Sequence, residues 1–218
     1  FVKEHEALEK ISSSFISATN ENAIEKIGEM LKLSVETLEL DQAYLVDFSR
    51  DYEDATVLSA HTRVGVVESI PFRPGMKVKT AALPVAKSLL AQKQPIACED
   101  ITIISTDEGE EERDFFASRG INSYFALPII IDENVIGMLV VEHYKRIDIN
   151  TRENQIYFLN IVANMLSDTR KNSLYEEQLY NVAYFDKDTK LANRNMLIQM
   201  LEQKIHNREE SERIAVLD

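Results

Sequence analysis

The most informative pattern of apolar and polar residues lies between residues 124 and 143. An apolar run, Tyr124-Phe-Ala-Leu-Pro-Ile-Ile-Ile131, is followed by the polar stretch Asp132-Glu-Asn134 and by a second apolar run, Val135-Ile-Gly-Met-Leu-Val-Val141. Two such runs with a three-residue connection predict a β-hairpin in which Asn134 adopts the left-handed conformation. Neither run alternates between apolar and polar residues, so we expect both faces of the hairpin to be covered.

Apolar residues at intervals of three and four predict helices over residues 2–18, 21–38, 82–92, 108–118 and 194–207, and a long helix that begins after Asn150-Thr151 and reaches about Val182. Strand-like segments are residues 42–48, 56–63 and 96–98, besides the hairpin. Strands and helices do not alternate strictly in this order. The pattern therefore favours an α+β fold, with a central antiparallel sheet, terminal helices on one face, and short helices and loops on the other.

The long predicted helix carries two apolar stripes. Leu159, Val162 and Leu166 form a short stripe suited to packing on the sheet. A second stripe has the alternating spacing of a heptad seam and consists of Ile161, Met165, Asp168, Asn172, Tyr175, Leu179 and Val182. Two interpretations of its polar middle stay open, because Asn172 either sets the register of a coiled coil or lies in a solvated, loosely paired region.

The heptad seam and an N-terminal stripe of Leu8, Ile11 and Phe15 predict a homodimer, because both are more apolar than a lone solvated helix requires. The second half of the long helix extends beyond the domain that covers its first half, and an isolated helix of that length is marginal in water. A parallel two-fold partner would supply the missing surface. The predicted interface residues are Leu8, Ile11, Phe15, Ile161, Met165, Asn172, Tyr175, Leu179 and Val182.

Composition excludes several classes of function. The chain has a formal charge of −13 and no clustered Lys and Arg, which argues against nucleic-acid binding and against docking on an anionic membrane. Its one cysteine, Cys98, excludes an internal disulfide and a cysteine-based metal cage. No run is long and apolar enough to span a bilayer, so a cytoplasmic protein is expected. No carboxylate pair or Ser-His-Asp spacing indicates catalysis, and we predict no enzymatic activity and no metal site.

Over about residues 5–170 the sequence resembles the GAF sensory domain family. The residues that carry this resemblance are Ile70-Pro-Phe72, Gly75, Leu90-Ala-Gln-Lys-Gln-Pro-Ile96, Phe116-Ala-Ser-Arg-Gly-Ile121, Ala126-Leu-Pro-Ile129 and Val135-Ile-Gly-Met-Leu139. The resemblance implies an antiparallel sheet with terminal helices on one face and, on the other, a site that often holds a small ligand. The candidate ligand-binding residues are Tyr44, His61, Phe115, Phe116 and Tyr124, although core packing alone also explains the aromatic ones.

The cofactors that some GAF domains carry are not expected here. A bilin is attached to a cysteine in light-sensing relatives, but Cys98 is followed by Glu99, where those relatives usually have His. A lone cysteine in an apolar stretch is typical of a small buried residue. Reduction of methionine sulfoxide by relatives uses several cysteines, and haem coordination by His61 or His143 is less expected than a structural role. The resemblance implies no particular ligand.

The end of the chain resembles the start of a GGDEF diguanylate cyclase domain, which usually reads D-x-L-T-G-L-x-N-R. Here the stretch is Asp186-Lys-Asp-Thr-Lys-Leu-Ala-Asn-Arg194, with Asp188 in place of Leu and Lys190 in place of Gly. We therefore predict a GAF-like sensory domain over 1–170, a helical linker over 171–185 and a GGDEF-like fragment over 186–218. The predicted function is a small-molecule-sensing or partner-sensing module that signals through the long helix to a cyclic di-GMP output domain. The alternative is a structural dimerisation module with no ligand.

Overall fold

The structure is a computed structural model that describes residues 23–105, 107, 109–148 and 152–207, together with Glu6, Glu9 and Ser13. The predicted interface residues Leu8, Ile11 and Phe15 lie outside the described residues, as does the stretch 208–218. The chain forms two compact units, Phe1–Lys171 and Asn172–Asp218.

The first unit is built on a six-stranded antiparallel sheet in the order β3-β2-β1-β6-β5-β4. The strands are β1 Gln42–Phe48, β2 Asp54–Thr62, β3 Lys77–Lys79, β4 Ile96–Cys98, β5 Ser123–Ile131 and β6 Asn134–His143. From residue 23 to residue 207, the helices that the structure describes are α1 Ala23–Thr37, α2 Pro84–Gln92, α3 Glu110–Ala117, α4 Glu153–Tyr184 and α5 Arg194–His206. The predicted α+β fold with a central antiparallel sheet is therefore confirmed.

The predicted central hairpin is present, but its turn is shorter than expected. Ile131 pairs with Asn134, so only Asp132 and Glu133 form the turn. Both have left-handed backbone conformations, with φ of 46° and 67°. This is the pattern of a type I′ turn, whose twist matches that of the paired strands. The prediction of a left-handed Asn134 was wrong because Asn134 already belongs to β6.

One face of the sheet, which we call the helix side, is covered by α1 and by the start of α4. The predicted stripe on α4 is confirmed, since Leu159, Val162 and Leu166 are all buried in this core. On α1, Ile27 is fully buried, whereas Ile24, one turn earlier, is 61% exposed. The apolar pattern of α1 therefore includes one residue, Ile24, that does not pack on the sheet.

In the second unit, α4 continues to Tyr184 and a short connection leads to α5. The connection is ordered by side chains at its two ends. Asp186 Oδ1 accepts hydrogen bonds from the backbone N–H groups of Asp188 and Thr189. Asn193 caps the start of α5 by accepting from two backbone N–H groups. Among the described residues, no helix has the length and apolar character needed to cross a bilayer.

Candidate functional site

The opposite face of the sheet, which we call the distal side, is covered by α2, α3 and the segment 63–76. Side chains alternate along each strand, so Tyr44 of β1, Val140 of β6 and Ala126 of β5 lie on this face in one row. Their neighbours in sequence face the helix side. The two faces therefore have separate cores.

Four of the five predicted ligand-binding residues meet on the distal side. Phe116 stacks on Tyr124 with ring centroids 4.3 Å apart and an angle of 13° between the planes. Phe115 lies edge-on to Phe116 at 5.3 Å, and Phe72 links Phe115 to Tyr44 at centroid distances of 6.2 Å and 5.1 Å. Such ring pairs stabilise a core beyond their buried area. We call these five rings the aromatic cluster.

The fifth candidate, His61, does not lie with the others. It follows Ala60, which faces the distal side, so His61 points to the helix side. Its Nε2 lies 3.1 Å from Glu36 Oε1 on α1. This contact lowers the pKa of Glu36, first through the hydrogen bond from His61 and against the opposing effect of burial. The strand's alternation thus separates His61 from the aromatic cluster and from the other four candidates.

Sequence reasoning missed a charged pair on the distal side, near the end of β6. Glu142 of β6 has no solvent exposure. Arg119, which follows α3, donates to both carboxylate oxygens of Glu142, at 2.8 Å from Nη1 and 2.5 Å from Nη2. Gln42 donates to the same carboxylate at 2.6 Å. The signal that could have found this pair is a glutamate at the end of the otherwise apolar run Val135–Val141, because a buried charge requires a partner.

The charged pair belongs to a larger hydrogen-bonded network. The Gln42 amide also donates to Ser69 Oγ at 2.8 Å, which connects β1 to the segment 63–76. The Tyr144 hydroxyl donates to the Val67 carbonyl at 2.6 Å and lies 2.8 Å from Ser69 Oγ. Burial raises the pKa of Tyr44 well above its ordinary value, and the nearby Glu142 carboxylate raises it further. The distal side therefore joins the sheet, α3 and the segment 63–76 through polar contacts.

Two clefts lie at the outer edge of the distal side, between α2 and α3. One has a volume of about 400 Å³, and Tyr52, Thr80, Leu83, Lys87, Glu111 and Glu112 are among its lining residues. The other, of about 890 Å³, shares Lys87, Glu111 and Glu112 with it and is also lined by Glu110 and Asp107. Ligand pockets have volumes in this range but are mostly apolar. These clefts are lined largely by charged and polar side chains, while the aromatic cluster fills the space beneath.

The family model of the GAF domain matches residues 23–169 of the chain. The chain belongs to the GAF domain family. The match includes every strand of the sheet, α1 to α3 and the part of α4 that packs on the helix side. GAF domains act as sensory and regulatory signalling modules in diverse proteins.

Solved structures of GAF domains show the same fold. The phycoerythrobilin-bound GAF domain of a cyanobacterial phytochrome is 15% identical, with a TM-score of 0.63 over 80% of this chain and 97% of that chain. The A. aeolicus nlh2 GAF domain in an inactive state is 15% identical, with a TM-score of 0.57 over 78% and 96%. The GAF domain of an Acinetobacter phosphoenolpyruvate-protein phosphotransferase is 14% identical, with a TM-score of 0.58 over 80% and 97%. A comparison with curated proteins found no match.

Cys98, the residue considered for chromophore attachment, lies on β4 of this GAF domain. It pairs with Tyr124 across the ladder and is buried. Burial raises the pKa of the thiol to about 11. At neutral pH the thiol is therefore protonated, and a thiol reacts as a nucleophile only in its ionised form. Tyr124 itself donates to Glu112 Oε1 at 2.5 Å, and burial followed by this hydrogen bond raises the pKa of Tyr124.

Proposed function

We propose that this GAF domain is the regulatory module of a cytoplasmic signalling protein and that α4 carries its signal to a cyclic di-GMP output domain. The observation that carries the proposal is the course of α4. The helix is buried against the sheet through Phe158, Leu159 and Leu166 and continues without interruption to Tyr184. A continuous helix can transmit a shift or rotation of its buried end to the chain that follows.

Direct contacts tie α4 to the central hairpin within the first unit. The ladder between β5 and β6 shifts register between Ile129 and Ile130, and the Ile130 N–H donates instead to Ser167 Oγ on α4 at 3.2 Å. Arg170, one turn later, pairs with Asp47 of β1 at 2.5 Å. A rearrangement of β1 or of the hairpin would therefore act on α4 directly.

The output side of the proposal rests on the connection between α4 and α5. Lys190 occupies the position where a GGDEF domain usually has Gly, and its backbone is left-handed, with φ of 60°. Gly is the residue that adopts this conformation most readily, so the backbone supports the resemblance where the side chain departs from it. Asn193, at the family's Asn position, accepts from the backbone N–H groups of Asn195 and Met196.

A chimera tests this signal path. Residues 1–193 would be joined in register to the catalytic part of a diguanylate cyclase of known activity. Deleting seven residues from the exposed part of α4 keeps the phase of the heptad, whereas deleting four changes it. We expect the four-residue deletion to change cyclase activity by at least about fivefold relative to the seven-residue deletion. Equal activity in both deletions would contradict transmission through α4.

The proposal includes a parallel homodimer. Along the second half of α4, Tyr175, Leu179 and Val182 are 42%, 70% and 80% exposed. Such a stripe needs a covering surface, and a second copy of the same helix provides one. Of the other predicted interface residues, Asn172 is exposed, Ile161 is half-buried, and Met165 already packs in part against the helix-side core. The contribution of Met165 to a dimer would therefore be smaller than the seam pattern predicts.

Sedimentation at micromolar concentration tests the dimer. We expect a dimer for the chain, a weaker one for the double variant Leu179→Glu and Val182→Glu, and a tighter one for Asp168→Leu. The matched control, Ser173→Glu with Asn181→Glu, adds the same charge outside the seam and should not change the association. A monomeric chain would contradict the proposal.

One observation favours a second candidate, a structural dimerisation module with no ligand. The aromatic cluster fills the distal side, where a GAF ligand would be expected. A thermal-shift screen with nucleotides, amino acids and haem distinguishes the two candidates, because a ligand that binds only the folded chain raises its melting temperature. The sensory function predicts at least one concentration-dependent rise, and the structural function predicts none.

A further inference from the structure

Glu142 is a buried charged residue on the distal side and is stabilised by a charged partner. It is a carboxylate with no solvent exposure, directly after the apolar stretch Val135–Val141 of β6. An unpaired buried carboxylate is strongly destabilising, and a paired cation offsets that cost. Arg119 supplies that cation.

The surroundings of Arg119 have the geometry of a guanidinium site. The carboxylate of Glu142 receives two parallel N–H bonds, from Nη1 at 2.8 Å and Nη2 at 2.5 Å, which is the bidentate arrangement that a guanidinium forms and an ammonium cannot. The guanidinium carbon lies 4.3 Å from the centroid of the Phe115 ring and 5.5 Å from that of Phe116. Gln42 also donates to the carboxylate, at 2.6 Å from Oε2, the oxygen that accepts from Nη1 of Arg119. We call Gln42, Phe115, Phe116 and Glu142 the guanidinium cage.

The two partners are held differently. Glu142 lies within the sheet, where its backbone pairs with Gln42 of β1 on one side and Tyr124 of β5 on the other. Arg119 lies in the turn after α3, just before Gly120, and reaches the carboxylate through a long side chain that is 11% exposed. The arginine is therefore the partner that another molecule would replace.

The charges of Glu142 and Arg119 decide which class of ligand fits the guanidinium cage. A ligand anion that drew Arg119 away would leave Glu142 buried and unpaired, which is strongly unfavourable. A ligand cation would pair with Glu142 and release Arg119, whose guanidinium would then be hydrated. The chain's charge of −13 also attracts cations to the protein. A cationic ligand is thus favoured over an anionic one.

We propose that the guanidinium cage is a binding site for a small molecule with a monoalkylguanidinium group, and that Arg119 is an internal ligand that such a molecule displaces. The proposal rests on the proposed sensory function and names the ligand class of the same face. Displacement would break the direct link between the end of α3 and β6. Because Arg119 is tethered beside the cage, it competes at a high effective concentration and lowers the affinity for any free guanidinium.

The test removes the internal competitor. The Arg119→Ala chain is titrated with N-ethylguanidinium chloride at constant ionic strength while its melting temperature is measured. We expect a saturable rise, with a half-saturation concentration at least about tenfold lower than for the unaltered chain. The double variant Arg119→Ala with Glu142→Gln lacks the carboxylate and should show no saturable rise. N-Ethylammonium, which cannot bond in a bidentate manner, should stabilise Arg119→Ala less.

A second variant, Arg119→Lys, tests the same proposal if Arg119→Ala does not fold. Arg119→Lys keeps a cation at the cage but loses the paired hydrogen bonds, so N-ethylguanidinium should stabilise it at lower concentration than the unaltered chain. If neither variant shows a saturable rise, or if the double variant responds equally, the cage proposal is wrong. The melting-temperature titrations do not depend on the cyclase activity of the chimera. A chimera that transmits a signal while Arg119→Ala ignores N-ethylguanidinium would overturn the cage alone.

Discussion

The helix side of the sheet is filled by aliphatic residues and Phe from β1, β5, β6, α1 and α4, while the distal side combines stacked rings with a buried ion pair and its hydrogen bonds. Aliphatic side chains contribute through the area they remove from water and tolerate small shifts. Buried polar networks instead require specific distances, because each lost partner is costly. The helix side is thus suited to anchoring α4, and the distal side to responding to a change of partner.

Two consecutive residues of β6 show this difference. Glu142 faces the distal side and is paired with Arg119 at 2.5 Å. His143 faces the helix side, where burial lowers its pKa to about 4 despite the nearby Asp41 carboxylate. One face therefore stabilises a charge by supplying its partner, and the other keeps its titratable group neutral by excluding water. Glu142 and His143 are neighbours on the same strand but face opposite sides of the sheet. A substitution at either residue therefore perturbs one face separately from the other.

The largest expected effect comes from breaking the ion pair of the distal side. Arg119→Met leaves Glu142 buried without a cation and should lower the free energy of unfolding by about 3 to 5 kcal/mol in urea denaturation. The double variant Arg119→Met with Glu142→Met replaces both charges by apolar groups and should recover most of this loss. Equal losses in the single and double variants would show that packing, rather than charge, sets the effect.

On the helix side, the effect of a truncated side chain on stability should depend only on how deeply that side chain is buried. Ile27→Ala removes a fully buried side chain from the core and should destabilise by about 3 kcal/mol. Ile24→Ala is a matched control on the same helix, since Ile24 is 61% exposed, and should change stability by less than about 0.5 kcal/mol. Equilibrium urea unfolding of both variants measures the difference. Similar losses would contradict the placement of α1 on the sheet.

The buried His143 makes stability depend on pH. Burial lowers its folded pKa from 6.5 to about 4, so over this interval the unfolded chain binds a proton that the folded chain does not. Stability should therefore fall as the pH decreases from 6.5 to 4.5, with about 2 kcal/mol due to this residue. Urea unfolding at both pH values tests this. His143→Gln removes the titration and should reduce the pH-dependent loss, and an unchanged loss would exclude His143 as its source.

Gly137, at the centre of β6, adjoins β1 so closely that a side chain would collide with it. An added Cβ would lie 2.4 Å from the Val46 carbonyl oxygen. Gly137→Val should therefore destabilise by over about 1 kcal/mol through overpacking. Gly28→Ala is the control, because its nearest neighbour would be Ser59 Oγ at 3.7 Å and Ala favours a helix, so stability should not fall. An unchanged denaturation midpoint for Gly137→Val would contradict this packing.

Elements with a strong hydrophobic pattern could be predicted from the sequence. The bounds of β1 and β4 agree with the prediction, and the hairpin and long helix lie where expected. The three-residue strand Lys77–Lys79 could not be found, because it has two exposed lysines and pairs only with the first residues of β2, at the edge of the sheet. Its strand character comes from pairing rather than from its own composition.

The candidate site could be predicted only in part. Aromatic residues are large and apolar, so Tyr44, Phe116 and Tyr124 could be assigned to the interior without knowledge of their neighbours. The pairing of Arg119 with Glu142 joins residues 23 positions apart and depends on how the turn after α3 is placed against β6. The sequence shows both charges, but their meeting requires the tertiary structure.

The smallest expected effect concerns His61, the candidate that the structure places on the helix side. His61→Ala removes a partly exposed contact with Glu36, and such pairs contribute between 0 and about 1 kcal/mol. Because His61 lies across the sheet from the guanidinium cage, the variant should also leave the response of Arg119→Ala to N-ethylguanidinium unchanged. Phe115→Leu, by contrast, removes the ring that lies 4.3 Å from the guanidinium carbon and should weaken that response. Thermal-shift titrations of the two double variants, each built on Arg119→Ala, make the comparison. If His61→Ala weakened the response as much as Phe115→Leu, the two faces would be coupled through the sheet rather than independent.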